Sequence, residues 1–192
     1  MNMRILLAAC TSAAVLSLLS SLGCTTTGGQ SADPEARRQS IDATVDQALS
    51  RLEQEVPASR DMISSAQGVL VFPSVLTGGF VVGGTTGQGA LRKSGKTAGY
   101  FSITAVSVGL LIGAQSKSVF ILFMTQDALD RFAASNGWTA GVDGSVALIN
   151  RGASAAIDTR TGQRPIVGYV LTNGGLMANL SLDGTRIARL DL

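Results

Sequence analysis

The sequence predicts an α+β domain, mainly antiparallel β and either barrel-like or a curved sandwich, with an N-terminal amphipathic helix and one helix between two groups of strands. Three observations predict it. Apolar residues recur at helical spacing from Ile41 to Val56. Beyond Gly68 the chain breaks into short β-like apolar runs separated by glycines, of which it holds 23 in 192 residues. A single stretch, Gln126 to Ala134, interrupts those runs with a helical pattern.

Taken in order, Met1-Asn-Met-Arg4 is a short basic start, followed by an apolar or small segment from Ile5 to Leu22 and then Gly23-Cys24. This is the pattern of an export signal, so residues 1–23 are expected to be a signal peptide. Cys24 is the expected lipid attachment residue, because lipoprotein processing needs a small residue just before the modified cysteine. Ser21 departs from the leucine usual three positions earlier. Leu7-Ala8-Ala9-Cys10 fits that box better, but it leaves an apolar segment of about five residues, short of the 7–15 that a signal needs. Acyl chains at about 0.8 kcal/mol per buried methylene make such an anchor stable. Residues 24–32, rich in Thr, Gly, Ser and Gln, read as a lipidated flexible tether. Thr25, where an aspartate would signal retention, points to the outer membrane facing the periplasm in a two-membrane cell.

Residues 33–192 read as one domain. Asp33-Pro34-Glu35 supplies an N-cap, a first-turn proline and a first-turn acid. Ile41, Val45, Ala48, Leu49, Leu52 and Val56 follow on one helical face, ending before Pro57. The opposite face is acidic and lacks lysine, so the helix is expected to pack on the domain and not to lie in a membrane surface. Ser59 to Gln67 is a short second helix. Strands are expected at Val69–Phe72, Phe80–Val82, Tyr100–Ile103, Val106–Ile112 and Val119–Met124. A helix follows with Ala128, Leu129, Phe132 and Ala133 on one face, stopped by Ser135-Asn136-Gly137. Further strands are expected at Ser145–Ile149, Ser154–Asp158, Ile166–Leu171, Leu176–Leu182 and Thr185–Leu190, with Asp183-Gly184 as a hairpin turn.

Composition removes several kinds of chemistry. The only cysteines are Cys10 and Cys24, and the chain has no histidine. The body therefore lacks a disulfide, a thiolate nucleophile, a cysteine or histidine metal site and the commonest general base. A net charge of +2 is too small for a generally nucleic-acid-binding surface. The charge is unevenly spread, however: residues 33–67 hold seven acids against four arginines, and residues 68–192 hold ten bases against six acids. An acidic head and a basic body can attract each other or face different partners.

Local motifs point the same way. Gly95-Lys96-Thr97 looks like the end of a P-loop, but Ala90 stands where its first glycine is required, and the segment leads into a strand instead of a helix. Arg92-Lys93-Ser94-Gly95-Lys96 instead forms a hairpin turn carrying three cations. Its bland role is solubility; its functional role is contact with anionic headgroups, each cation contributing about 1 kcal/mol near a charged bilayer. Gly83 to Gly89 is phosphate-loop-like in composition only, and glycines between apolar strands usually mark bends or close backbone approach. Lys117 lies between Ser116 and Ser118, which admits a Ser/Lys hydrolase, although no third orienting group is evident. Asp143, Asp158 and Asp183 are scattered and form no evident acid/base pair or calcium loop.

Several of these stretches together resemble the SYLF domain family, whose bacterial members are often small lipoproteins. The shared words include Ala66-Gln-Gly-Val-Leu-Val-Phe-Pro73, Gly87-Gln-Gly-Ala-Leu91, Gly113-Ala-Gln-Ser-Lys117, Ala128-Leu-Asp-Arg-Phe132, Gly137-Trp138 and Gly175-Leu-Met-Ala178. Ser74 replaces the lysine common after the Phe-Pro word. The resemblance implies a non-enzymatic lipid-binding module, since eukaryotic relatives bind phosphoinositides and associate with actin regulators. For this chain it implies contact with anionic lipid or an envelope protein, and no cofactor. Arg92, Lys93, Lys96 and Lys117 are the candidate contacts, chosen from local charge. The alternatives are a structural envelope protein acting through protein contacts, or the Ser/Lys hydrolase.

Overall fold

The computed structural model describes residues 33–79, 82–108, 115–149, 164–176 and 181–192. The leader, Cys24, the tether and the expected strand at Ser154–Asp158 lie outside them, as do parts of those expected at Phe80–Val82, Val106–Ile112 and Leu176–Leu182. From Pro34 onward the chain forms one compact unit. It begins with two helices, α1 (Pro34–Glu55) and α2 (Ser59–Ser65), followed by four long strands: β1 (Gly68–Gly79), β2 (Val82–Lys93), β3 (Lys96–Val108) and β4 (Gln115–Phe123). Helix α3 (Gln126–Ala134) comes next. The short or later strands are β5 (Trp138–Thr139), β6 (Ala147–Leu148), β7 (Ile166–Thr172), β8 (Gly175–Leu176) and β9 (Arg186–Leu190).

All the strands belong to one sheet, ordered β5-β9-β3-β2-β1-β4-β7-β6, with β8 beside β7. Pairing is antiparallel throughout except between β6 and β7. The sheet curls into a half-barrel, and the aromatic side chains show why. Phe132 lies 5.1 Å from the Phe101 ring of β3 and 4.8 Å from the Phe123 ring of β4. Those strands stand three places apart, about 14 Å on a flat sheet. Curling brings their inward side chains onto one ring. The fold is thus mainly antiparallel β with helices added, as expected, built from a single curled sheet.

Both faces of the central strands are covered, so Val69–Phe72, Val119–Phe123 and Ile166–Leu171 are buried without interruption. On the concave face Leu70, Phe72, Phe101, Ile103, Ile121 and Phe123 pack with Leu129 and Phe132 of α3 and with Trp138. On the convex face Val69, Val71, Phe120, Leu122, Tyr169 and Leu171 lie under Ile41, Val45, Ala48 and Leu52 of α1 and Met62 of α2. The apolar stripe of α1 thus meets the sheet. In α3, Ala133 is exposed and only Ala128, Leu129 and Phe132 are buried. Thr125 caps α3 by accepting a 3.3 Å hydrogen bond from the Ala128 N–H.

Three sequence expectations change. Tyr100–Ile103 and the start of Val106–Ile112 are one strand, β3. The strand expected to end at Val82 continues through Gly83 to Gly89 as β2, and the close backbone approach expected of these glycines occurs where β1 bulges opposite Gly89. The pairing slips by one residue between Val71 and Ser74, placing Pro73, which has no N–H to donate, at an irregularity where its loss costs least. A Cβ on Gly89 would come 1.9 Å from the Val71 carbonyl oxygen. Finally, Asp183-Gly184 turns the chain, with a 3.0 Å bond from the Thr185 N–H to the Leu182 carbonyl, but joins no hairpin among the described residues. Residues 181 and 182 are not strand, and β9 pairs with β3 and β5.

Candidate functional site: a basic hairpin tip and a concave cleft

The four candidate contacts are distributed over three environments. The β2–β3 hairpin closes through Ser94 (φ 49°) and Gly95 (φ 76°), with Lys93 paired to Lys96 across it. Positive φ at both positions is the two-residue turn that matches strand twist, and glycine adopts it without strain. Lys93 and Lys96 are exposed there and make no ion pair among the described residues.

Arg92, one residue earlier, points back onto α1. Its Nη2 donates to Asp46 Oδ1 at 2.6 Å, and its Nη1 lies 3.3 Å from Asp42 Oδ1. Only 13% of its side chain is exposed. Asp42 also accepts from Thr97 Oγ1 at 2.7 Å and from the Tyr100 hydroxyl at 2.8 Å. Burial, then the bond to Asp42, raises the Tyr100 pKa. The acidic head and basic body do attract each other here, and the cation with the most polar partners is the least available to a ligand.

Lys117 lies toward the other end of the strands. Its partner on β1 is Val75, whereas Arg92 pairs with Val69. β-strand alternation sends its side chain to the concave face, into a cleft of about 770 Å³. Val75, Ile103, Val119 and Leu182 supply apolar lining, and Lys117 and Asp183 supply the charges. Burial alone lowers the Lys117 pKa, and no acid or hydrogen-bond acceptor meets its ammonium among the described residues. The neighbouring serines are engaged elsewhere: Ser116 Oγ lies 3.1 Å from Ser74 Oγ, and Ser118 Oγ donates to the Pro73 carbonyl at 2.7 Å. Alternation thus turns the two serine hydroxyls, each with another partner, away from the Lys117 side chain, although Ser116 also contributes to the cleft wall.

Asp183 is also in the cleft wall, accepting from Ser181 Oγ at 2.7 Å, while Asp143 accepts from the Thr139 N–H at 2.6 Å. Among the described residues no three histidine, cysteine, aspartate or glutamate side chains are grouped to hold a metal. Sequence reasoning found Lys117 but not the cleft, whose lining comes from strands and turns scattered between Val75 and Thr185.

The sequence model of the Ysc84 family, described as Las17-binding protein actin regulator, matches residues 104–191. That stretch runs from β3 through β9 and contains Lys117, and it leaves out Arg92, Lys93 and Lys96. No curated protein matches the chain. Residues 104–191 are therefore similar to the Ysc84, or SYLF, family, in agreement with the resemblance carried by the sequence words.

Proposed function

We propose that the protein is an exported, membrane-anchored envelope lipoprotein whose SYLF-type domain binds anionic lipid or an envelope protein without covalent chemistry. The observation that carries the contact is the hairpin tip, where Lys93 and Lys96 stand exposed and unneutralised while the adjacent Arg92 is consumed by α1. Two such cations near a charged bilayer contribute about 1 kcal/mol each. Anchoring is assigned to acyl chains on Cys24, with residues 24–32 as the tether and the periplasmic side of the outer membrane as its place. The lack of histidine and of a body cysteine supports a non-enzymatic role, as does the engagement of the Ser116 and Ser118 hydroxyls with Ser74 and the Pro73 carbonyl.

The test is flotation of the Cys24→Ser protein with vesicles containing anionic lipid. Flotation is expected to persist without the acyl anchor, to fall with added salt and to be lost in the double variant Lys93→Glu, Lys96→Glu. If the unacylated protein does not float, the lipid reading fails; if it then crosslinks specifically to an envelope protein, the structural alternative replaces it.

A further inference from the structure

The concave cleft is not needed for contact through the hairpin tip, and its chemistry is more selective than a surface patch. Its volume, about 770 Å³, is that of a small-molecule site. Val75 and Ile103 are about 1% exposed and Val119 is fully buried, so the floor is continuous with the hydrophobic core. Lys117 is a cation held partly out of water on that floor. A desolvated charge is unfavourable unless paired, and its missing partner is an anion.

We propose that the cleft binds a single-chain amphiphile with a carboxylate head, a long-chain fatty acid, with the carboxylate at the Lys117 ammonium and the hydrocarbon tail along Val75, Ile103, Val119 and Leu182. This deepens the lipid-binding reading and rests on it only for the class of ligand. Three features select this class. The described lining holds no aromatic ring for a base or sugar to stack on and no arginine fork for bidentate phosphate recognition. Lys117 is its only cation, and Asp183 lies in the same wall, so one negative charge is matched where the two of a phosphate monoester would meet repulsion. Of the hydroxyls of Thr77 and Thr85, 3.0 Å apart, one donates to the other, so the pair keeps one O–H proton to support a single carboxylate beside the lysine.

The test is calorimetric titration of the full chain carrying Cys24→Ser, which removes the proposed acylation site, with monomeric dodecanoate at neutral pH. Saturable one-to-one binding is expected. Lys117→Gln, which removes a desolvated charge and is expected to fold, should weaken dodecanoate at least tenfold and leave dodecanol unchanged. Lys117→Arg should retain most of the affinity, and Ala105→Trp, which fills the cleft, should abolish binding. Absence of saturable binding overturns the proposal, as does binding insensitive to both Lys117→Gln and Ala105→Trp. Displacement by dodecyl phosphate equal to that by dodecanoate overturns the choice of a carboxylate head. Vesicle flotation of the same protein separates the two readings: flotation without dodecanoate binding sinks the cleft alone, and dodecanoate binding without flotation sinks the surface contact alone.

Discussion

The two faces of the curled sheet are made from the same alternating strands but end up closed to different extents. On the convex face α1, at 22 residues, is about 33 Å long and runs along most of a 12- or 13-residue strand of about 40 Å. Polar contacts fasten it at several points: Arg37 to Gln88 at 3.3 Å, Asp42 to Arg92, Thr97 and Tyr100, and Arg51 to the Thr172 carbonyl at 2.7 Å. On the concave face α3 has nine residues and covers about 14 Å. Phe132 and Trp138 fill that end, with ring centroids 6.0 Å apart and nearly perpendicular. Among the described residues no helix lies over the other end of the face, which forms the cleft at Lys117. Unequal cover over equal strands therefore makes one face a scaffold and leaves the other a site.

The largest way to break this contrast is Phe132→Ala. It removes the ring shared by Phe101, Phe123 and Trp138 and should cost about 3–5 kcal/mol, read as a fall in denaturation midpoint. A loss below about 1 kcal/mol would mean that α3 is not what closes the concave end.

Asp42→Ala tests the fastening of the convex face. It leaves the Arg92 guanidinium with Asp46 as its one remaining carboxylate and strips partners from Thr97 and Tyr100, so a loss of about 1–3 kcal/mol is expected by denaturant titration. A neutral result would show that apolar burial alone holds α1.

The smallest effect sharpens the comparison. Tyr169 is fully buried beneath α1, and its hydroxyl meets no hydrogen-bond partner among the described residues. Burial pushes its pKa up to about 12 from 10.0. The unfolded chain thus loses this proton before the folded one does. Stability linked to Tyr169 is complete below pH 10 and is lost as pH rises from there through about 12. Tyr169→Phe should be neutral or stabilising by about 1 kcal/mol at pH 7 and should flatten the alkaline loss. A phenylalanine variant with an unchanged alkaline slope would place that titration elsewhere.

Much of the convex face was legible in the chain. The spacing of Ile41, Val45, Ala48 and Leu52 gives α1 its buried stripe, and continuous apolar runs such as Val119–Phe123 follow from cover on both sides. At Gly83 to Gly89 the close backbone approach was legible and holds at Gly89 against the Val71 carbonyl, but their place inside a strand was not, because glycine has low strand propensity. Asp183-Gly184 was read as a hairpin because local turn chemistry does not say which strands lie on either side. The three cations of the hairpin looked equivalent in sequence; only the packing of α1 distinguishes Arg92 from Lys93 and Lys96.

By itself the sequence determined the periodicities, the turn at Ser94-Gly95, the helix over Gln126 to Ala134 and the absence of histidine and body cysteine, because each depends on near neighbours or on composition. Tertiary structure decided the pairing of Arg92 with α1, the curl that gathers Phe101 and Phe123 around Phe132, and the cleft that surrounds Lys117. These depend on strand order and on helix length over each face, which bring together residues far apart along the chain.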